Sequence, residues 1–64
     1  MLRFQVEGMT CGHCAQAVTK AVQAVDAMSE VEVDLAAASV TVRGEGRRED
    51  LAAAIEAAGY KVAA

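Results

Sequence analysis

Apolar and polar residues alternate along three stretches of the chain, and each stretch predicts a half-buried β-strand. The three strands run from Leu2 to Glu7, from Glu30 to Leu35 and from Ser39 to Arg43, and a short fourth strand is predicted at residues 60–62. Because only every second side chain is apolar, each strand should bury one face and expose the other. Antiparallel sheets with one wet face have this pattern.

Between the strands the apolar spacing lengthens to three or four residues, which is typical of an amphipathic helix. The first helix is predicted from Cys14 to about Val25, with Ala15, Val18, Val22 and Val25 on its apolar face. Its polar residues fall on the other face. Both this helix and the strands therefore offer one apolar surface, and these surfaces should pack together.

A second helix is predicted after the flexible turn at residues 44–46. Glu49 and Asp50 stand in its first turn, where the helix dipole favours negative charge. Gly59 is well placed to cap its end. Its predicted apolar face consists of Leu51, Ala54, Ile55 and Ala58.

The resulting order, βαββαβ, predicts a ferredoxin-like α+β sandwich in which two helices cover one face of a four-stranded antiparallel sheet. The length of 64 residues allows one domain, 1–64. The linker Ala36–Ala38 leaves the turn type of the central hairpin open, because it has no glycine or asparagine. The predicted core is apolar throughout: Leu2, Phe4, Val6, Val18, Val22, Val31, Val33, Val40, Val42, Leu51 and Ile55.

Composition excludes several function classes. The net charge is −3 and the chain has one Tyr, one Phe and no Trp, so it lacks the basic stripe and stacking side chains of a nucleic-acid binder. No apolar run is long enough to insert directly into a membrane. The N-terminal residues lack the apolar stretch of a signal peptide, and we therefore expect a cytoplasmic protein.

The candidate chemistry is concentrated in residues 8–14, Gly-Met-Thr-Cys-Gly-His-Cys, which hold both cysteines and the only histidine. A CxxC pair where a strand gives way to a helix can bind one soft metal ion or form one disulfide. The free N–H groups of the helix start should lower the thiol pKa, most of all for Cys14. Gly12 gives the loop backbone freedom.

Two thiolates without a compulsory third ligand suit ions of low coordination number, such as Cu(I) and Hg(II). Structural zinc prefers four ligands, and the chain has no second cysteine pair. The alternative from another class is a thiol-disulfide oxidoreductase. Enzymes of that kind with the thioredoxin fold are longer than this chain, which also lacks tryptophan and proline.

The motif Gly8-Met9-Thr10-Cys11-Gly12-His13-Cys14 resembles the G-M-x-C-x-x-C motif of the heavy-metal-associated domain family. This family includes small copper chaperones and the N-terminal domains of heavy-metal P-type ATPases. The resemblance covers the whole chain, since the element order agrees and Ala57-Ala58-Gly59-Tyr60 precedes the last strand. Two departures are the Asp26-Ala27-Met28 loop, where a glycine is common, and the alanine-only hairpin turn.

The resemblance implies that Cys11 and Cys14 bind Cu(I). Met9 matches a methionine that packs into the core and steadies the loop. Thr10 stands where zinc-transporting relatives tend to have aspartate, which favours copper. His13 matches a variable position that points to solvent, and Tyr60 matches a residue beside the metal site.

The resemblance further implies a small bacterial copper chaperone and not an enzyme. Such a protein passes Cu(I) by ligand exchange to the metal-binding domain of a copper P-type ATPase. It is expected to be a monomer without metal, and a metal-bridged dimer is compatible with an exposed site. A mercury-binding protein of the same fold is the alternative within the binding class.

Overall fold

The computed structural model describes residues 1–63. It contains, in chain order, β1 (Leu2–Glu7), α1 (Gly12–Val25), β2 (Glu30–Asp34), β3 (Ser39–Arg43), α2 (Arg48–Ala57) and β4 (Lys61–Val62). The strands form one antiparallel sheet in the order β2-β3-β1-β4. The predicted ferredoxin-like fold is confirmed.

The strand register places the apolar side chains on one face of the sheet. Phe4 lies opposite Val40 across β1 and β3, and Val40 lies opposite Val33 across β3 and β2. Both helices pack on this face and contribute to a single core. Of the predicted core, Leu2, Val31 and Val33 are only partly buried. Val25, predicted on the apolar face of the first helix, is exposed at the end of α1. The buried members are Phe4, Val6, Val18, Val22, Val40, Val42, Leu51 and Ile55, joined by Met9.

Three element boundaries differ from the sequence prediction. Helix α1 begins at Gly12 rather than Cys14, because the carbonyl of Cys11 already accepts hydrogen bonds from the N–H groups of Cys14 (3.1 Å) and Ala15 (3.3 Å). Strand β2 ends at Asp34 because Leu35 belongs to the following turn. Strand β4 begins at Lys61, since the residue before it still bonds to α2.

The hairpin turn between β2 and β3 is closed without glycine. The carboxylate of Asp34 accepts a hydrogen bond from the N–H of Ala37 at 3.1 Å, and the carbonyl of Leu35 accepts one from Ala38 at 3.3 Å. Ala38 has φ = 54°, which is a left-handed conformation. An L-residue there costs roughly 1–2 kcal/mol, and the surrounding hydrogen bonds must offset that cost.

The loop after α1 is held by Asp26. Its Oδ2 accepts hydrogen bonds from the N–H groups of Glu45 (2.8 Å) and Gly46 (3.1 Å), and its Oδ1 accepts one from Met28 (3.2 Å). Gly44 lies so close to Ser29 that a Cβ added at Gly44 would be 2.9 Å from the Cβ of Ser29. One carboxylate therefore joins the end of α1 to the turn that leads into α2.

We expect Asp26→Ala to lower the free energy of unfolding by about 1–3 kcal/mol, because three backbone N–H groups lose their acceptor. Urea denaturation followed by circular dichroism measures the change. Asp26→Asn is the matched control, since it keeps one acceptor oxygen and should lose less. An unchanged midpoint for Asp26→Ala would contradict the role of this carboxylate.

Candidate metal centre

The cysteine loop begins where β1 ends and closes directly onto α1. Gly8 has φ = 95°, so the chain turns there in a conformation that favours glycine. Cys11 has extended backbone angles and precedes the first helical residue, while Cys14 lies within the first turn of the helix. The Cys11 side chain is exposed, the Cys14 side chain is half-buried, and the two residues approach each other to 4.0 Å.

The side chain of Met9 attaches the cysteine loop to the core. Its side chain is 8% exposed and belongs to the same core as Phe4 and Val6 of β1. Its neighbours on both sides, Gly8 and Thr10, are exposed. The loop therefore has one buried apolar attachment, and burying such a side chain stabilises the folded state by roughly 1.5–3 kcal/mol.

Tyr60 reaches the loop because of the way α2 ends. Gly59 has φ = 102°, and its N–H donates to the carbonyl of Glu56 at 3.0 Å. The N–H of Tyr60 donates to the carbonyl of Ile55 at 3.4 Å. This pair of bonds is a Schellman cap, in which the residue after the glycine packs back on the helix. The Tyr60 ring then lies beside Gly8, where an added Cβ would be 3.6 Å from Cδ1 of the ring.

The sulfur of Cys14 has hydrogen-bond partners on the protein. Its thiol donates to the carbonyl of Gly8 at 3.9 Å, and the hydroxyl oxygen of Thr10 is also 3.9 Å away. The backbone N–H of Thr10, and then the hydroxyl of Tyr60, stabilise the thiolate and lower the pKa of Cys14 from 9.0 to about 6. The hydrogen bond to the Cys14 sulfur also raises the pKa of the Tyr60 hydroxyl. The predicted direction for Cys14 is correct, although the largest cause is an N–H that precedes the helix.

His13 and Gly12 lie on the outer side of the loop, and both are exposed. Within residues 1–63, no three or more His, Cys, Asp or Glu side chains are grouped so that they could hold one metal ion. His13 is therefore not brought into a three-ligand cluster with the cysteines. A single copy of the chain offers an ion two thiols on an open surface.

A concave region lies elsewhere, on the polar face of the sheet, where Arg3, Glu32 and Thr41 are among its lining residues. None of the loop residues lines it. A concave surface alone therefore does not indicate the site in this molecule. Among the described residues, no helix combines the length and apolar character needed to span a bilayer.

A heavy-metal-associated domain model matches residues 3–61. The chain belongs to this family. It is 45% identical over 63 residues to the copper chaperone CopZ of Bacillus subtilis (strain 168), covering 94% of this chain and 91% of that protein. It is 44% identical over 59 residues to copper-transporting ATPase 2 of Rhizobium meliloti (strain 1021), covering 89% of this chain and 7% of the ATPase.

Solved structures of similar proteins agree closely with the fold. One is the copper chaperone Atx1 from Synechocystis PCC6803, in the Cu1, trimeric form of a histidine-to-tyrosine mutant. It superposes with a TM-score of 0.94 at 44% identity, covering 97% of this chain and 98% of that one. A gold-binding protein superposes with a TM-score of 0.90 at 35% identity, covering 97% and 95%.

Sequence reasoning missed one part of this site. The sequence indicates that Gly8 ends β1 and opens the cysteine loop, but not that its carbonyl accepts a hydrogen bond from the Cys14 thiol or that the Tyr60 ring lies against it. The signal available was a glycine directly after a strand and directly before the motif. The pattern indicates a turn there but not which groups the turn exposes.

We expect alkylation of Cys14 by iodoacetamide to show a midpoint near pH 6, because the thiolate is the reactive form. The measurement uses Cys11→Ser, so that only one thiol reacts. Tyr60→Phe should move the midpoint to higher pH, because the phenol that stabilises the thiolate is lost. A midpoint near 9.0 in Cys11→Ser would show that these partners do not act on the sulfur.

Proposed function

We propose that this protein is a copper chaperone that binds one Cu(I) between Cys11 and Cys14 and passes it to another protein. The observation that carries the proposal is the pair of cysteines, which approach each other to 4.0 Å, one exposed and one half-buried. Thiolates select soft ions, and a two-thiolate site suits an ion that accepts low coordination. The similarity to CopZ supports copper as the cargo.

The open geometry also suits delivery. An incoming thiolate can approach the ion from the solvent side, because the Cys11 side chain and the neighbouring Thr10, Gly12 and His13 are exposed. Ligands are then exchanged one at a time, and the ion is never released into water. A closed four-ligand site would block this route.

The proposed partner is the metal-binding domain of a copper-transporting P-type ATPase. The match to a small part of copper-transporting ATPase 2 supports this partner, since such ATPases contain a stretch similar to this chain. We further propose that residues 1–64 form a single domain, which works in the cytoplasm and is not an enzyme. It is a monomer without metal, and its exposed dithiol permits a metal-bridged dimer.

An anaerobic titration of the reduced protein with Cu(I), Zn(II) and Hg(II) against competing chelators tests the proposal. Cys11→Ser and Cys14→Ser should each weaken Cu(I) binding by more than about 100-fold, because loss of a ligand costs more than the roughly 10–100-fold typical of an outer-shell partner. His13→Ala, the control, should cost less than about 10-fold.

Two results would overturn this site. If His13→Ala weakened Cu(I) binding as much as either serine variant, the ion would have three ligands. If the wild-type protein bound Zn(II) more tightly than Cu(I), the proposal that copper is the cargo would be wrong. Tight Hg(II) binding is expected of any such dithiol and therefore does not distinguish a copper function from a mercury function. The measured affinity for Cu(I) is the result that tests the copper proposal.

The docking surface for the partner should include α1. Lys20 is exposed on this helix and lines a shallow groove together with Ala15, which directly follows Cys14, and Val33 of β2. Lys61 is exposed at the start of β4, opposite Glu7. Charge at the rim of a small, transient interface acts mainly on the rate of encounter.

We expect Lys20→Glu to slow Cu(I) transfer to a copper P-type ATPase domain at low salt and to leave Cu(I) affinity nearly unchanged. High salt should reduce the difference by screening. Arg47→Glu is the matched control. It makes the same change of charge at an exposed residue next to the start of α2, the end of that helix away from Tyr60. Equal transfer rates for Lys20→Glu and Arg47→Glu would exclude Lys20 from the docking surface.

A further inference from the structure

Strand β2 leaves one edge of the sheet open. The order β2-β3-β1-β4 places β2 at this edge, where it is hydrogen-bonded to β3 alone. The strand at the other edge, β4, has two residues, whereas β2 has five. An edge strand exposes a row of backbone N–H and C=O groups with which another extended strand can pair. Strand β2 is therefore the longer of the two edges that a further strand can join.

A shallow groove lies beside this edge, on the side of the sheet that the helices cover. It is lined by five α1 residues and one β2 residue: Ala15, Gln16, Thr19, Lys20, Gln23 and Val33. Val31 and Val33 are partly buried and pack against the core. A strand added to β2 would direct every second side chain to this side. Apolar side chains at those positions would continue the core.

The other face of β2 is acidic. Glu30, Glu32 and Asp34 alternate with the two valines, and all three are exposed. Arg43 of β3 lies opposite Glu30, whereas the other two carboxylates lie opposite uncharged residues. A strand that joins the edge therefore meets a row of negative charge on one face and an apolar groove on the other.

A second copy of the chain matches the groove but not the charge. The antiparallel register that uses all five residues of both strands sets Val31 opposite Val33, so the apolar positions agree. The same register sets Glu32 opposite itself and Glu30 opposite Asp34. Like charges directly opposite each other destabilise a strand pair. Charge, rather than the apolar pattern, therefore opposes pairing between two copies.

We propose that the open edge of β2 is a strand-pairing surface that its three carboxylates close to a second copy of the chain and leave open to an extended segment in which basic and apolar residues alternate. The basic side chains of such a segment lie opposite the carboxylates, and its apolar side chains lie in the groove beside Val33. The surface needs no metal ion. The carboxylates also keep the groove at Lys20 accessible, because a second copy paired at β2 would cover it.

The variant Glu30→Lys/Glu32→Lys serves as the probe for a basic strand. Isotope-labelled wild-type protein is titrated with the unlabelled variant at low salt, and amide chemical shifts are followed by NMR. The shifts should change in residues 30–34 and along the groove side of α1. The Kd should be lower by about 10-fold or more than that for self-association of wild-type protein, and high salt should raise it by screening. A reductant and a metal chelator exclude disulfide and metal bridges between the chains.

Glu45→Lys/Glu56→Lys is the matched control, because it makes the same change of charge at two exposed residues outside β2. It should leave the signals of residues 30–34 unchanged. Equal changes with the control, or no change with the probe, would overturn the proposal. If the probe loses the native circular dichroism spectrum, Glu32→Lys alone repeats the titration, since Glu32 lies at the centre of the strand.

A dilution series tests the part of the proposal that concerns a second copy. Glu30→Gln/Glu32→Gln/Asp34→Asn removes the repulsion without adding positive charge, so its self-association should be about 10-fold stronger than that of wild-type protein in sedimentation equilibrium. Glu45→Gln/Asp50→Asn/Glu56→Gln loses the same number of charges elsewhere and should behave as wild type. A neutral β2 that associates no more strongly than wild type would show that charge does not close this edge. None of these results depends on copper binding, so they are independent of the proposed function.

Discussion

The structure depends on the fact that its sheet has only one apolar face. Alternation along β1 and β3 places Phe4, Val6, Val40 and Val42 on the same side, so both helices must cover that side. A chain of this length buries only roughly 60% of its unfolded surface. There is no room for a third layer, and the helix ends and loops lie at the two ends of the sandwich. The cysteine loop is exposed because of this arrangement.

The same constraint brings distant parts of the sequence to one end. The antiparallel order places the end of β1, the start of β4 and the turn between β2 and β3 together, as shown by the bond from Val6 to Ala38 and the pairing of Glu7 with Lys61. The cap of α2 then directs Tyr60 to Gly8. A residue late in the sequence thus lies beside the cysteine pair, although no local pattern connects them.

The difference between local patterns and contacts of residues distant in the sequence explains what the sequence could predict. Period-two alternation identified the strands, and the CxxC spacing identified the thiols, because both signals are local. The start of α1 at Gly12 and the left-handed Ala38 were not predicted. The loop has no apolar period, and alanine gives no signal for φ > 0. The role of Asp26 was also missed, since its acceptor function depends on a turn about twenty residues later.

The division between core and loop also bears on what a carrier of metal ions needs. The core is apolar and includes Met9, which fixes the base of the loop. The two sulfurs lie above it, one exposed and one in contact with hydrogen-bond partners. A site with every group directed at the ion would bind it more tightly and release it more slowly. Here the Cys11 side chain is exposed to solvent, so an incoming ligand can reach the site without any opening of the domain.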